Sequence, residues 1–201
     1  MPPKFSTYDL WESKADLIAV TTNGTLKDDG SLVMGKGAAK EAADRVSHDF
    51  GITLPLNIGA ALTKAHRIDG CLLYGFYVYT ERPINYRLGL FQTKLHWRKA
   101  STRAIIGYSI MHLKLWLAVN HGDSGATVAL NFPGIGAGEL EVQQVFPLLL
   151  DLPENVTIHF QRGNFDGTLY AVAQEFDKYY GASKVKKYVE TDDPNFLALY
   201  E

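Results

Sequence analysis

The sequence predicts an α/β fold with a mostly parallel or mixed sheet. Short apolar, β-branched runs alternate with longer helical patterns through most of the chain. Two of the strand-to-helix connections are rich in glycine, at the place where an open α/β sheet receives its ligands. No internal repeat, low-complexity segment or long Pro/Gly/Ser linker divides the 201 residues. One domain over 1–183, followed by a C-terminal tail over 184–201, is therefore expected.

The elements follow in order. DLIAVTT (16–22) is a β-branched apolar run stopped by Asn23-Gly24, and reads as a buried strand. GKGAAKEAADRVSHDF (35–50) is dominated by Ala, Lys and Glu, and Ala39, Ala42, Ala43, Val46 and Phe50 recur at helical spacing. LPLNIGAALTKAHR (54–67) is a second helix candidate. CLLYGFYVYT (71–80) and YRLGLFQTK (86–94) read as consecutive strands joined by a turn around Pro83 and Asn85. A long helix runs from near Ser101 to a stop at Gly122. ATVALNF (126–132) is a strand that leads into PGIGAG (133–138). LEVQQVFPLLLD (140–151) is helical, with Pro147 near its start, kinking it or splitting it. NVTIHF (155–160) is a strand and LYAVAQEFDKYY (169–180) the last helix. The tail mixes basic and acidic clusters, and Phe196, Leu197, Leu199 and Tyr200 suggest an end that docks on the body or on a neighbour.

Composition narrows the function classes. With 46% apolar and 21% charged residues the chain can build a sizeable core without disulfides. A net charge of −2 argues against strong non-specific nucleic-acid binding. The single cysteine, Cys71, lies inside an apolar run and reads as a buried small hydrophobe; a lone cysteine suits a reducing compartment. The N-terminus has no apolar h-region, and the apolar stretches fall short of a membrane span. A cytoplasmic protein with no membrane partner is expected.

The stretch GSLVMGKG (30–37) spaces Gly30, Gly35 and Lys36 as a P-loop does, but Gly37 stands where a Mg²⁺-binding hydroxyl is needed. No apolar strand ends in an acid to hold the metal, and Gly134, Gly136 and Gly138 miss the G-x-G-x-x-G dinucleotide spacing. Either loop alone reads as a turn. The pair, each between a strand and a helix, can instead grip a pyrophosphate from two sides through backbone amides and helix starts.

Asp9-Leu10, DLIAVTTNG (16–24), MGKGAAKEA (34–42), FQTKLHWR (91–98) and PGIGAGELE (133–141), in this order and spacing, resemble a macrodomain. They are most similar to the bacterial and bacteriophage branch near the DarG-type antitoxins and the terminal ADP-ribose protein glycohydrolases. The resemblance covers roughly residues 5 to 160. It implies a three-layer α/β/α fold with a central mixed sheet flanked by helices, and an ADP-ribose pocket that uses neither metal nor cofactor. Asp9 would accept from the adenine amino group, assisted by the Leu10 amide. Thr22 and Asn23 would line the distal ribose. Met34, Gly35, Lys36, Gly37 and Ala38 would form the first phosphate loop, with Lys36 a helix-start residue. Pro133, Gly134, Ile135, Gly136, Ala137 and Gly138 would wrap the diphosphate and distal ribose. Lys94 matches the lysine that attacks the anomeric carbon in the DarG-like branch. Such a nucleophile must be neutral, which requires burial or a nearby cation. His96, Trp97 and Arg98 would support it, with Trp97 expected in the core and Arg98 on the surface.

The sequence departs from the branch at several points. Gln92 replaces a proline, Tyr8 a glycine, and Val20 an asparagine, while Glu139 and Glu141 stand where Gly and Asp are common. The acid of the protein-directed glycohydrolases falls on Leu140, so hydrolysis here would need Glu139 or Glu141 in its place. Three functions remain open: hydrolysis of ADP-ribose from DNA or protein, non-catalytic capture of ADP-ribose or a related nucleotide signal, and dephosphorylation of ADP-ribose 1″-phosphate. The partners implied are ADP-ribose or an ADP-ribosylated macromolecule, nucleic acid included. A monomer is expected. Family context also suggests countering a host ADP-ribosylation or nucleotide-signal defence.

Overall fold

A computed structural model of the chain describes residues 1–50, 62, 65–79, 87–121, 125–160 and 166–199. The strands are β1 (Lys4–Ser6), β2 (Leu17–Asn23), β3 (His66–Ile68), β4 (Cys71–Leu73), β5 (Phe76–Tyr79), β6 (Arg87–Lys94), β7 (Val128–Asn131), β8 (Val156–His159) and β9 (Val189–Glu190). The α-helices are α1 (Gly37–Phe50), α2 (Arg103–His121), α3 (Val142–Leu149), α4 (Asp166–Tyr180), α5 (Val185–Tyr188) and α6 (Pro194–Leu199). Seven strands form one sheet in the order β5-β6-β2-β7-β8-β1-β9, and β3 and β4 make a separate antiparallel pair. Neighbours in the large sheet are parallel, except that β5 runs antiparallel to β6. The mixed sheet carries helices on both faces, as the α/β reading requires.

The core explains this layering. β2 is buried along nearly its whole length, which suits a central strand covered on both sides. Leu17 and Ala19 pack in one cluster with Ile106, Ile110 and Leu113 of α2, Val145 and Phe146 of α3 and Phe176 of α4. Ile18 and Val20 turn to the other face, where they meet Leu32, Ala39 and Ala42. A two-residue side-chain period thus assigns alternate residues of one strand to two different layers. Cys71 is buried, as its apolar setting predicts.

Several elements differ from expectation. The run 71–80 is not one strand, because it breaks at Tyr74-Gly75 into β4 and β5. The fully buried Gln92 side chain enforces the break: its Oε1 accepts from the Tyr74 and Gly75 amides at 2.9 and 3.2 Å, and its Nε2 donates to the Leu72 carbonyl at 2.7 Å. The candidate helix over 54–67 falls largely outside the described residues, and its last two, His66 and Arg67, pair with Leu73 and Leu72 in the β3–β4 ladder instead. The turn around Pro83 and Asn85 and the stop at Gly122 also lie outside them. Pro147 sits inside α3, which ends two residues later at Leu149. α4 is followed by two further short helices. In the C-terminal segment, Val185, Tyr188, Val189 and Phe196 join the main core, and β9 adds a parallel strand beside β1. Among the described residues no helix is long and apolar enough to cross a membrane.

Candidate functional site

β1, β2, β6, β7, β8 and β9 run parallel, so the loops that follow β1, β2, β6, β7 and β8 gather at one edge of the sheet. A cavity of about 1130 Å³ opens there. Its wall includes Leu10 after β1, Thr22 and Asn23 at the end of β2, and Gly35 to Ala38 entering α1. It also includes Lys94 at the end of β6, and Gly134 to Gly138 after β7. Sequence reasoning placed all of these in one site, and the fold brings them together. Asp9, Met34 and Pro133 are not on the wall. Asp9 caps the short 3₁₀ turn Leu10–Glu12, with its Oδ1 accepting from the Trp11 amide at 2.9 Å. Met34 is buried beside Val20 and Leu32.

The end of β2 is held by a small polar network. A register shift between Thr22 and Asn23 sets Asn23 opposite Lys94. Tyr74 is buried, and its hydroxyl lies 3.1 Å from the Asn23 carbonyl and 2.5 Å from Thr22 Oγ1. A carbonyl only accepts, so Tyr74 donates to Asn23 and Thr22 donates to Tyr74. Burial pushes the phenol pKa up, keeping it a donor. The Asn23 side chain donates to the Val33 carbonyl and accepts from the Thr25 amide, which folds the loop back toward Gly35.

Lys94 is tied to the second glycine loop and lies within the field of the first. Its Nζ donates to the Ala137 carbonyl at 2.7 Å. Burial holds its pKa below the ordinary lysine value; the Glu139 carboxylate works against this and the Lys36 charge adds to it. Gln92 Nε2 donates to the Lys94 carbonyl at 3.2 Å, so the residue that stands in place of a proline pins the backbone of the lysine. The two acids after the second loop separate clearly. Glu141 is the N-cap of α3, where its amide donates to Gln144 Oε1 at 2.8 Å. Glu139 is exposed on the cavity wall in the left-handed region, φ 63°, which is rare for a residue other than glycine and marks stored strain. Leu140 packs on the core.

Some wall residues carry no assignment from sequence. Asn131 bridges β7 to β2, its Oδ1 accepting from the Thr21 amide at 2.6 Å and its Nδ2 donating to Thr21 Oγ1 at 2.9 Å. Its position at a strand end before a glycine loop was the available signal. His159 and Phe160 also line the wall, and nothing local in NVTIHF distinguishes them. Trp97 is not a core residue: it is 44% exposed at the mouth, with the Arg98 guanidinium 4.6 Å above its ring.

No protein-family model matches the sequence, and no curated protein does. Solved structures do match. The macrodomain of Mycobacterium tuberculosis DarG aligns over 78% of this chain and 97% of its own, at 22% identity and a TM-score of 0.53. The macrodomain of Thermus aquaticus DarG aligns over 79% and 97%, at 22% identity and a TM-score of 0.55. Thermosipho africanus DarTG, solved in complex with ADP-ribose, aligns over 75% of this chain and 39% of its own, at 24% identity and a TM-score of 0.51. The fold of this chain is the macrodomain fold, with DarG macrodomains among its structural neighbours.

Proposed function

We propose that the chain binds ADP-ribose in this cavity and hydrolyses it from a modified macromolecule such as DNA or protein, with Lys94 as nucleophile. The observation that carries the reading is the position of Lys94: a lysine of lowered pKa on the cavity wall, tied to the second glycine loop and within the field of the first. Gly35 to Ala38 and Gly134 to Gly138 cradle the diphosphate, Thr22 and Asn23 flank the distal ribose, and Asp9 and Leu10 lie toward the adenine. The match to a DarTG structure holding ADP-ribose supports this choice of ligand.

The chemistry needs a deprotonated amine. The neutral Lys94 Nζ attacks the anomeric carbon of the distal ribose with its lone pair and, as it bonds, gives a proton to the Glu139 carboxylate. The bond from that carbon to the modified group breaks, and the bonding electrons leave with the group, which takes the proton from Glu139. Water then adds to the lysyl adduct, releasing ADP-ribose and the free amine. Glu139 fits this role better than Glu141, which is occupied at the start of α3. A second reading, capture without turnover, draws on the Ala137 bond, since an ammonium held there can serve only to bind and position phosphates. The deciding experiment incubates wild type and Lys94→Ala with ADP-ribosylated DNA and protein, beside calorimetry with ADP-ribose. Turnover is expected from wild type alone, with binding retained by both. Equal release by both proteins ends the nucleophile reading, and binding without product from wild type establishes the capture reading.

A further inference from the structure

Among the described residues, two carboxylates line the cavity, those of Glu41 and Glu139. Glu41 is committed, since the Arg45 guanidinium lies 3.4 Å from its Oε1. Glu139 is exposed, and its side chain has no hydrogen bond or ion pair among the described residues. Its backbone is fixed on both sides. The Glu139 amide donates to the Gly136 carbonyl at 3.0 Å, and the Leu140 amide donates to the Gly134 carbonyl at 2.9 Å. Two residues earlier, the Ala137 carbonyl accepts from Lys94 Nζ at 2.7 Å. One short turn therefore holds the amine and carries the acid. That turn puts Glu139 at φ 63°, a conformation glycine adopts freely, so the backbone gives no reason for a glutamate here. Two of the wall's cations are already engaged: Lys94 with Ala137, and Arg98 over the Trp97 ring at 4.6 Å.

We propose that Glu139 selects by charge the group attached to the distal ribose, admitting a neutral or cationic one, such as a nucleobase or a guanidinium, and rejecting a phosphate. The inference rests on the ADP-ribose reading with Lys94 beside the anomeric carbon. In that pose, whatever the carbon bears lies next to Lys94, on the stretch of wall that Glu139 shares. A phosphate there brings an anion up to an unpaired carboxylate. Like charges several ångströms apart at an exposed wall repel enough to change affinity about tenfold. A nucleobase meets no such penalty, and a guanidinium gains a charge-assisted partner. Of the three reactions left open by the sequence, dephosphorylation of ADP-ribose 1″-phosphate is the one this charge opposes. Lys36, Lys94 and Arg98 pull the other way, and Glu41 is paired with Arg45. All of these stay in place when Glu139 alone is changed.

The test is calorimetry on the full chain with ADP-ribose and ADP-ribose 1″-phosphate, at low and high salt, for wild type and Glu139→Gln. Free phosphate is assayed in parallel. The ratio of the two affinities is the readout, because any change at the diphosphate is shared by both ligands. Wild type should prefer ADP-ribose and release no phosphate, and its preference should narrow as salt rises. Glu139→Gln keeps the shape and removes the charge, so it should move the ratio about tenfold toward the phosphate. Glu139→Gly, which suits the left-handed backbone, should do the same and serves if the glutamine variant does not fold. A ratio unmoved by the substitutions, or phosphate release by wild type, overturns the assignment. Wild type that binds neither ligand fails the ADP-ribose reading itself. Equal binding of both ligands by wild type leaves that reading standing and removes Glu139 as its selector.

Discussion

Gly134 and Gly35 hold matching places, each in a glycine-rich loop between a strand of the sheet and a helix, yet a side chain would meet opposite surroundings at the two. At Gly134, φ is +83°, and an added Cβ would lie 2.8 Å from Ile106 Cδ1 and 3.1 Å from Leu140 Cδ1. At Gly35 an added Cβ would meet nothing within 4 Å, and its φ is not positive. At Gly134 the second loop is pressed against the core and needs a glycine in order to fold. The first projects into the cavity, and nothing inside the chain demands Gly35. One composition pattern therefore has two physical causes. Only a glycine without an internal cause points outward, to a ligand that must approach the backbone closely.

The largest effect that tests this contrast is at Gly134. Gly134→Ala forces an L-residue into the left-handed region and drives its methyl into Ile106 of α2. A loss of about 3 kcal/mol is expected, combining backbone strain with overpacking. Urea denaturation reads it as a lower midpoint at unchanged slope. A midpoint within error of wild type would show that the second loop is not clamped to α2 and would erase the distinction between the loops.

The same contrast explains what the sequence could and could not disclose. β2 and α1 were legible because their causes are local: a β-branched run closed by Asn23-Gly24, and an Ala-rich helical period. β1 is only Lys4–Ser6, and its identity comes from pairing with Val189 and Ile158, which lie far along the chain. The break at Gly75 depends on the side chain of Gln92, and on the Tyr108 and His112 rings, which lie about 3 Å from where a Gly75 Cβ would sit. Trp97 has a core-like side chain, but the loop after β6 leaves it at the cavity mouth. The cavity itself was legible in outline because strand ends and glycines mark one edge of a parallel sheet. Which buried atoms lack partners among the described residues, as at His159 Nε2, is a three-dimensional fact with no local signature.

Gly35→Ala is the intermediate test and the complement of Gly134→Ala. Stability should stay within about 0.5 kcal/mol of wild type, because the methyl touches nothing in the chain. ADP-ribose affinity should fall on the order of tenfold if the loop's backbone approaches a charged phosphate. Calorimetry beside denaturation separates the two readouts. Full affinity in a stable variant would leave Gly35 as an ordinary turn residue and the first loop without a demonstrated ligand contact.

The smallest expected effect concerns the charges that the two loops bring to Lys94. Lys36, from the first loop, lowers the Lys94 pKa, and Glu139, after the second, raises it. On the proposed mechanism the attacking amine is the neutral form, so turnover should rise with pH through the lowered Lys94 ionisation. Lys36→Met removes a like charge, and the rise should move to higher pH. Glu139→Gln removes the opposing charge, and whatever activity remains should rise at lower pH. Burial is the largest influence on Lys94, so neither substitution should restore the ordinary lysine value. Opposite displacements of the two profiles are what an ionising Lys94 requires. A Lys36 variant that raises KM while its pH profile stays in place would make Lys36 a phosphate contact only, with no electrostatic hold on the nucleophile.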